Sequence, residues 1–192
     1  MDIVTGLMEY TPYNEQEAHD REVMLHLLQD APDIFDRTNQ TAHFTASSWL
    51  LNQSHDKVLM IYHNIYHSWS WTGGHADGDR DLLAVAKKEA MEETGVTEIR
   101  TVSDGIFSIE ILTVDGHIKK GSYVPSHLHL NVTYLLEADS EEQVFVKEDE
   151  NSGVGWFSVD EVPERVSEAW MNQRIYSKLM AKVRRDYPGN KE

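Results

Sequence analysis

Glu89, Glu92 and Glu93 stand within about two helical turns of one another in the stretch GGHADGDRDLLAVAKKEAMEETGV, residues 73–96. Like charges three or four positions apart on a helix repel by roughly 0.2–0.5 kcal/mol per pair. Folding alone offers no reason to stack them, and no basic residue lies between them in the chain. A divalent cation does offer one. Carboxylate oxygens are hard ligands that suit Mg²⁺, which keeps several waters and also takes oxygens from substrate phosphates. On a wheel advancing about 100° per residue from Leu83, Ala86, Ala90 and Met91 are read as the side facing a sheet. The three glutamates are read as a sector roughly opposite, converging on one patch outside the core.

The elements that would position them follow from local patterns. Residues 14–30 read as an amphipathic helix, with Asn14 as N-cap, Glu17 closing a capping box, and Val23, Met24, Leu27 and Leu28 as its apolar stripe. HFTASSWLL (43–51) and KVLMIYHN (57–64) read as strands around the turn NQSHD. The acidic helix spans about 81–94, with Gly95 as its C-cap. GIFSIEILTV (105–114) and HLHLNVTYLLEA (127–138) read as longer strands, GVGWFSV (153–159) as a short one, and 164–186 as a final helix. Helices interleaved with strands imply an α/β sandwich on a mixed sheet.

Bulk composition narrows the function. The chain has 192 residues, 40% of them hydrophobic, and a formal charge of −16. Such a surface repels nucleic-acid polymers, whose binding relies on Lys and Arg, and anionic membranes. A phosphate-bearing small molecule remains compatible where metal ions reverse the local field. There are no cysteines, which excludes disulfides, thiolate nucleophiles and Cys-based zinc sites. No apolar stretch approaches the roughly 18 residues of a bilayer span, and no signal peptide is evident, so a cytoplasmic location is expected.

With spacing included, residues 74–96 resemble the Nudix box, G-x5-E-x7-R-E-U-x-E-E-x-G-U, where U is aliphatic. Gly74 matches the opening glycine, and Glu89, Ala90, Glu92, Glu93, Gly95 and Val96 match its end. Two positions depart: Arg80 replaces the first glutamate and Lys88 replaces the arginine, with Asp79 or Asp81 as alternative partners for Lys88. The resemblance implies a Nudix-type α/β/α sandwich over 41–163; outside it, the chain reads as a helical extension (1–40) and a C-terminal helix packed on the same domain (164–192). It implies Mg²⁺, or Mn²⁺, held by Glu89, Glu92 and Glu93, and hydrolysis of a small-molecule diphosphate such as a nucleoside diphosphate derivative. Homodimers are common in the family.

Other residues are weighed beside plainer roles. Glu150, with Glu148 and Asp149, could supply an extra carboxylate as ligand or general base; the alternative is an acidic turn. Gly73 and Gly74 allow close backbone approach to substrate, and His75 beside them is a candidate phosphate contact. Trp69 and Trp71 could stack on a base or fill the core. His127 and His129 alternate on one strand face, so with His75 they could form a second metal site. Lys119, Lys120 and Tyr123 lie in a loop that is either a substrate contact or a solvated hairpin. Lys182, Arg184 and Arg185 are read as complementing the final helix dipole. The Arg80 and Lys88 departures keep open a catalytically weak nucleotide-binding sensor. Prenyl-diphosphate isomerisation is disfavoured because the form compared uses a cysteine.

Overall fold

All ten residues of strand β1, Ala42–Leu51, are buried. A strand covered on both faces is a central one. β1 lies between β2 (Lys57–His63) and β9 (His127–Glu137) in the order β10-β2-β1-β9-β5, where β5 is Arg100–Thr101 and β10 is Asn151–Ser158. Strands β3 (Ser68–Ser70), β4 (Thr72–His75) and β6 (Ser108–Val114) join β2, β1 and β9 respectively. A separate hairpin pairs β7 (His117–Lys119) with β8 (Ser122–Val124) in the loop around Lys119 and Tyr123. The helices are α1 (Ile3–Glu9), α2 (Glu15–Asp30), α3 (Leu82–Thr94), α4 (Val162–Arg165) and α5 (Ser177–Asp186). The fold is α/β on a mixed sheet, as the residue patterns imply. This computed structural model describes residues 2–119, 121–147 and 151–189. Glu148, Asp149, Glu150 and Lys120 lie outside the described residues.

The chain forms two compact units. The first comprises residues 1–47, 73–86 and 105–134. Here α2 lies along β6, whose other side pairs with β9. Asp20 accepts the Ile111 amide at 3.0 Å and Gln16 Nε2 donates to the Ile109 carbonyl at 3.3 Å. Helix side chains thus satisfy backbone groups that a bare strand edge would expose. Asn14 caps α2, its Oδ1 accepting from the Glu17 amide at 3.0 Å. The reciprocal half of the capping box does not form. Glu17 is fully buried, and its Oε2 accepts from Tyr10 Oη at 2.7 Å and the Tyr13 amide at 2.6 Å. Of the expected stripe on α2, Met24 is buried whereas Val23 is exposed.

One face of this unit's strands is both polar and buried. Thr45 and Ser47 donate to Asn131 Oδ1 at 3.0 and 2.8 Å, while Asn131 Nδ2 and Thr133 Oγ1 donate to Glu110 Oε2, both at 3.0 Å. Ser108 Oγ joins Glu110 to Glu17. Dense hydrogen bonding is what permits so many polar groups to be buried.

The second unit comprises residues 48–72, 87–104 and 135–192. β10 and β3 both pair antiparallel with β2. The final helix is interrupted rather than continuous from 164 to 186. Val166 is extended (φ −88°, ψ 116°), and the Ser167 amide donates to Ser68 Oγ at 3.0 Å. A π-helical turn, Met171–Tyr176, then leads into α5. Tyr176 is fully buried and stacks on Trp49, with an edge contact to Trp71. Lys182 is buried, and Arg184 and Arg185 pair with Asp160 and Asp186, so these three do more than face a helix dipole. Among the described residues, no helix is long and apolar enough to cross a membrane.

Candidate active site

Helix α3 begins where Asp81 Oδ1 accepts the Ala84 amide at 3.1 Å. It ends at Gly95, whose φ of +80° is the left-handed conformation of a C-cap glycine. A Cβ on Gly95 would meet Phe145 Cδ2 at 2.8 Å, so the glycine is needed on both counts. Leu82, Val85, Ala86, Ala90, Glu93 and Thr94 are buried, while Met91 is 40% exposed. This corrects the expected wheel. Glu93 follows Ala86 by seven residues, and seven steps of about 100° return to within about 20° of the same direction. Glu93 therefore shares the buried arc instead of opposing it, with Glu89 half-buried beside that arc and Glu92 exposed at its margin.

Glu93 is 4% exposed and accepts from Asn151 Nδ2 at 3.5 Å, a long contact. Asn151 is itself buried, and its Oδ1 has no hydrogen-bond partner among the described residues. Glu92 lies between two ammonium groups, Lys88 Nζ at 3.8 Å and Lys147 Nζ at 4.0 Å. The acidic cluster is therefore partly neutralised, from outside the 89–93 segment.

The two departures from the box take up other contacts. The Arg80 guanidinium lies over the Phe35 ring, 4.6 Å from its centroid. Lys88 pairs along its own helix with Glu92. Asp79 accepts the Asp81 amide at 2.9 Å, and Asp81 caps α3.

Gly73 sits on β4 where backbone leaves no room for a side chain. A Cβ there would lie 2.7 Å from the Ala46 carbonyl oxygen and 2.9 Å from Ser47 Cα. Gly74 follows it, and both belong with His75 to the first unit. Trp69 belongs to the second, half-buried, with edge contacts to Phe157 at 4.5 Å and Tyr62 at 5.6 Å. Its ring is thus already part of an aromatic cluster.

His75 has imidazole neighbours that the sequence reading only partly anticipated. Ring centroids lie 5.1 Å apart for His43–His75, 5.0 Å for His43–His129 and 4.9 Å for His75–His129. His127 stacks on His43 at 4.9 Å. Burial is the main cause that pushes His75 down to about 3 and His129 down to about 2, with neighbouring positive groups adding to it. His43 is lowered for the same first reason. His43 was not among the expected site residues. The signal was present in the alternation His43-x-Thr45-x-Ser47 and His127-x-His129-x-Asn131-x-Thr133: two strands with a polar residue at every second position mark a shared polar face.

A family model described as NUDIX domain matches residues 41–179, well over half of the chain. The chain belongs to the NUDIX family. It is a Nudix pyrophosphohydrolase by membership, in a family whose enzymes hydrolyse nucleoside diphosphate derivatives. The sequence matches no curated protein. Among solved structures, it resembles an Ap4A hydrolase from C. elegans at 18% identity and TM-score 0.53, covering 73% of this chain and 94% of that one. The Nudix hydrolase RenU from M. smegmatis is similar at 13% identity and TM-score 0.55, with 78% and 90% coverage. A NUDIX-family hydrolase from Clostridium perfringens follows at 19% identity and TM-score 0.50, with 74% and 96% coverage. At these identities the likeness is one of fold.

Proposed function

We propose that this Nudix hydrolase is Mg²⁺-dependent, with Mn²⁺ able to substitute, and cleaves the diphosphate linkage of a nucleoside diphosphate derivative or similar small molecule. The observation that carries this reading is the buried arc of α3: Glu93 is 4% exposed, half-buried Glu89 lies one turn before it, and the amide that contacts Glu93 carries Asn151 Oδ1, which has no partner among the described residues. These are hard oxygen donors, the set that Mg²⁺ takes and softer ions do not prefer. Glu89 and Glu93, with Glu92, would hold it. Bound there, the ion would polarise phosphoryl oxygens and lower the pKa of an attacking water.

The chain's own groups have separate tasks in this proposal. Glu92 stays solvent-exposed between Lys88 and Lys147, so its charge can be shared among a metal and two ammonium groups. Gly73 and Gly74 present backbone to the diphosphate. His75, held neutral by burial, would act towards phosphate as a hydrogen-bond donor and not as a cation. Trp69 is the proposed aromatic wall for a base or ring. Glu150 is proposed as the base that takes a proton from the attacking water. In-line displacement at phosphorus then depends mainly on positioning and electrostatics.

The test is phosphate and pyrophosphate release from nucleoside triphosphates, dinucleoside polyphosphates and sugar nucleotides with Mg²⁺, comparing wild type with Glu93→Gln. Metal-dependent turnover that the variant loses is the expected result. A second reading, a weak enzyme acting as a nucleotide sensor, is favoured by one contact set: Lys88 and Lys147 compete with a metal for Glu92. Nucleotide binding without product release on any substrate would establish it over the first.

A further inference from the structure

We propose that His43, His75 and His129 bind one divalent transition-metal ion, of the imidazole-preferring class that includes Zn²⁺, through one ring nitrogen each. This site uses none of the carboxylates of α3. One ligand atom from each histidine can be chosen so that all three lie within 4.8 Å of one another. Two nitrogens bound at roughly 2.0–2.1 Å to a tetrahedral ion sit about 3.3 Å apart. Convergence of the ligand atoms by at most about 1.5 Å would therefore complete the site.

The hydrogen bonds around the rings point the same way. His43 Nδ1 meets the Asn39 carbonyl oxygen at 2.9 Å. A carbonyl only accepts, so Nδ1 carries the hydrogen and the lone pair is on Nε2. That Nε2 is buried and has no hydrogen-bond partner among the described residues, on a residue 3% exposed. An imidazole fixed by a backbone carbonyl on one nitrogen, with its other nitrogen unsatisfied, has the outer-shell arrangement of a metal-bound histidine. His127 Nδ1 donates to the Pro125 carbonyl at 2.8 Å, so its Nε2 accepts from His129 Nε2 at 3.2 Å, which leaves the His129 lone pair on Nδ1. His127 is thereby a positioning residue for His129.

Competing explanations for the cluster are weak. Asp77, the acid whose charge acts on both His43 and His75, is held by the Arg37 guanidinium, with Nε to Oδ1 at 2.6 Å. Three neutral nitrogens without carboxylates favour Zn²⁺, Cu²⁺ or Ni²⁺ over Mg²⁺ or Ca²⁺. A three-nitrogen site on a tetrahedral ion also leaves one position for water or a phosphate oxygen.

The experiment uses the full chain without an affinity tag, stripped with EDTA, then titrated with Zn²⁺ in excess Mg²⁺ by calorimetry. Co²⁺ absorption reports the coordination geometry. One Zn²⁺ per chain is expected, together with a Co²⁺ spectrum of tetrahedral type. Losing an outer-shell partner costs about 10–100-fold in affinity, so His75→Ala and His129→Gln should each weaken Zn²⁺ by at least about 100-fold. His19→Gln, on the exposed face of α2, should bind as wild type does. Circular dichroism of the metal-free variants checks folding, and the Co²⁺ spectrum of wild type decides the matter if a variant fails to fold. Absence of stoichiometric Zn²⁺, displacement of Zn²⁺ by Mg²⁺, an octahedral Co²⁺ spectrum, or undiminished binding in both folded variants would each overturn the proposal. None of these readouts depends on hydrolysis, so this site and the α3 reading fail separately.

Discussion

Replacing Glu89 by glutamine should make the metal-free protein more stable and the Mg²⁺-bound protein less so. Glu89 stands three residues before Glu92 and four before Glu93 on α3. Two such like-charge pairs cost about 0.4–1 kcal/mol together. The Lys88–Glu92 pair offsets little of this, because its side chains are 66% and 45% exposed. For a chain of this size, about 2–4 °C of Tm accompanies each kcal/mol, so a rise of roughly 1–4 °C is expected in EDTA. Metal reverses the order. A ligand at a hundred times its Kd stabilises the protein that binds it by about 2.7 kcal/mol, and a variant lacking one carboxylate gains less. Turnover should fall by about 10²–10³, the scale for loss of one preorganised electrostatic group. Calorimetric scans of both proteins in EDTA and in Mg²⁺, with steady-state rates, supply every number. A variant less stable than wild type in EDTA would refute the reasoning, because the contacts Glu89 makes within the protein would then outweigh its repulsion by Glu92 and Glu93.

Three further outcomes are expected. Gly73→Ala drives a Cβ against the Ala46 carbonyl and Ser47 Cα, so β4 must shift at a cost of about 1–3 kcal/mol, read as a lower urea midpoint. Ser108→Ala removes the hydroxyl shared by Glu17 and Glu110 inside the first unit and should cost about 1–3 kcal/mol by the same measurement. Tyr134 has its pKa raised, mainly by burial and then by the charge of Asp81. Below pH 10 both folded and unfolded chains keep its proton; above pH 10 the unfolded chain releases it first. That contribution to stability is therefore lost at about 1.4 kcal/mol per pH unit as pH rises beyond 10. Ultraviolet titration should show Tyr134 ionising only with alkaline unfolding, read as the signal that Tyr134→Phe removes.

Much of the fold was legible because its signals lie within short windows. Asn14 caps α2, Gly95 ends α3, and the aromatic and β-branched runs became β1, β2, β6 and β9 at close to their expected bounds. The carboxylate spacing from Glu89 to Glu93 was legible for the same reason. Three features were not. Glu17 abandons its capping box because Tyr10 and Tyr13 offer donors that the window from Asn14 to Glu17 does not contain. The last helix breaks at Val166 because Ser68, about a hundred positions earlier, takes the Ser167 amide. Lys147 reaches Glu92 from a segment more than fifty residues away, so the charge balance of the cluster was hidden from its own neighbourhood.

The sequence by itself therefore determined the family and the helix that carries the acidic residues, since spacing within residues 74–96 sets both. Only the tertiary structure decided that Glu93 is buried against Asn151 and that His43 joins His75 and His129. The physical reason is common to both. Burial and ligand convergence depend on which strands become neighbours, and β1, β4 and β9 are brought together by pairings between residues that lie tens of positions apart in the chain.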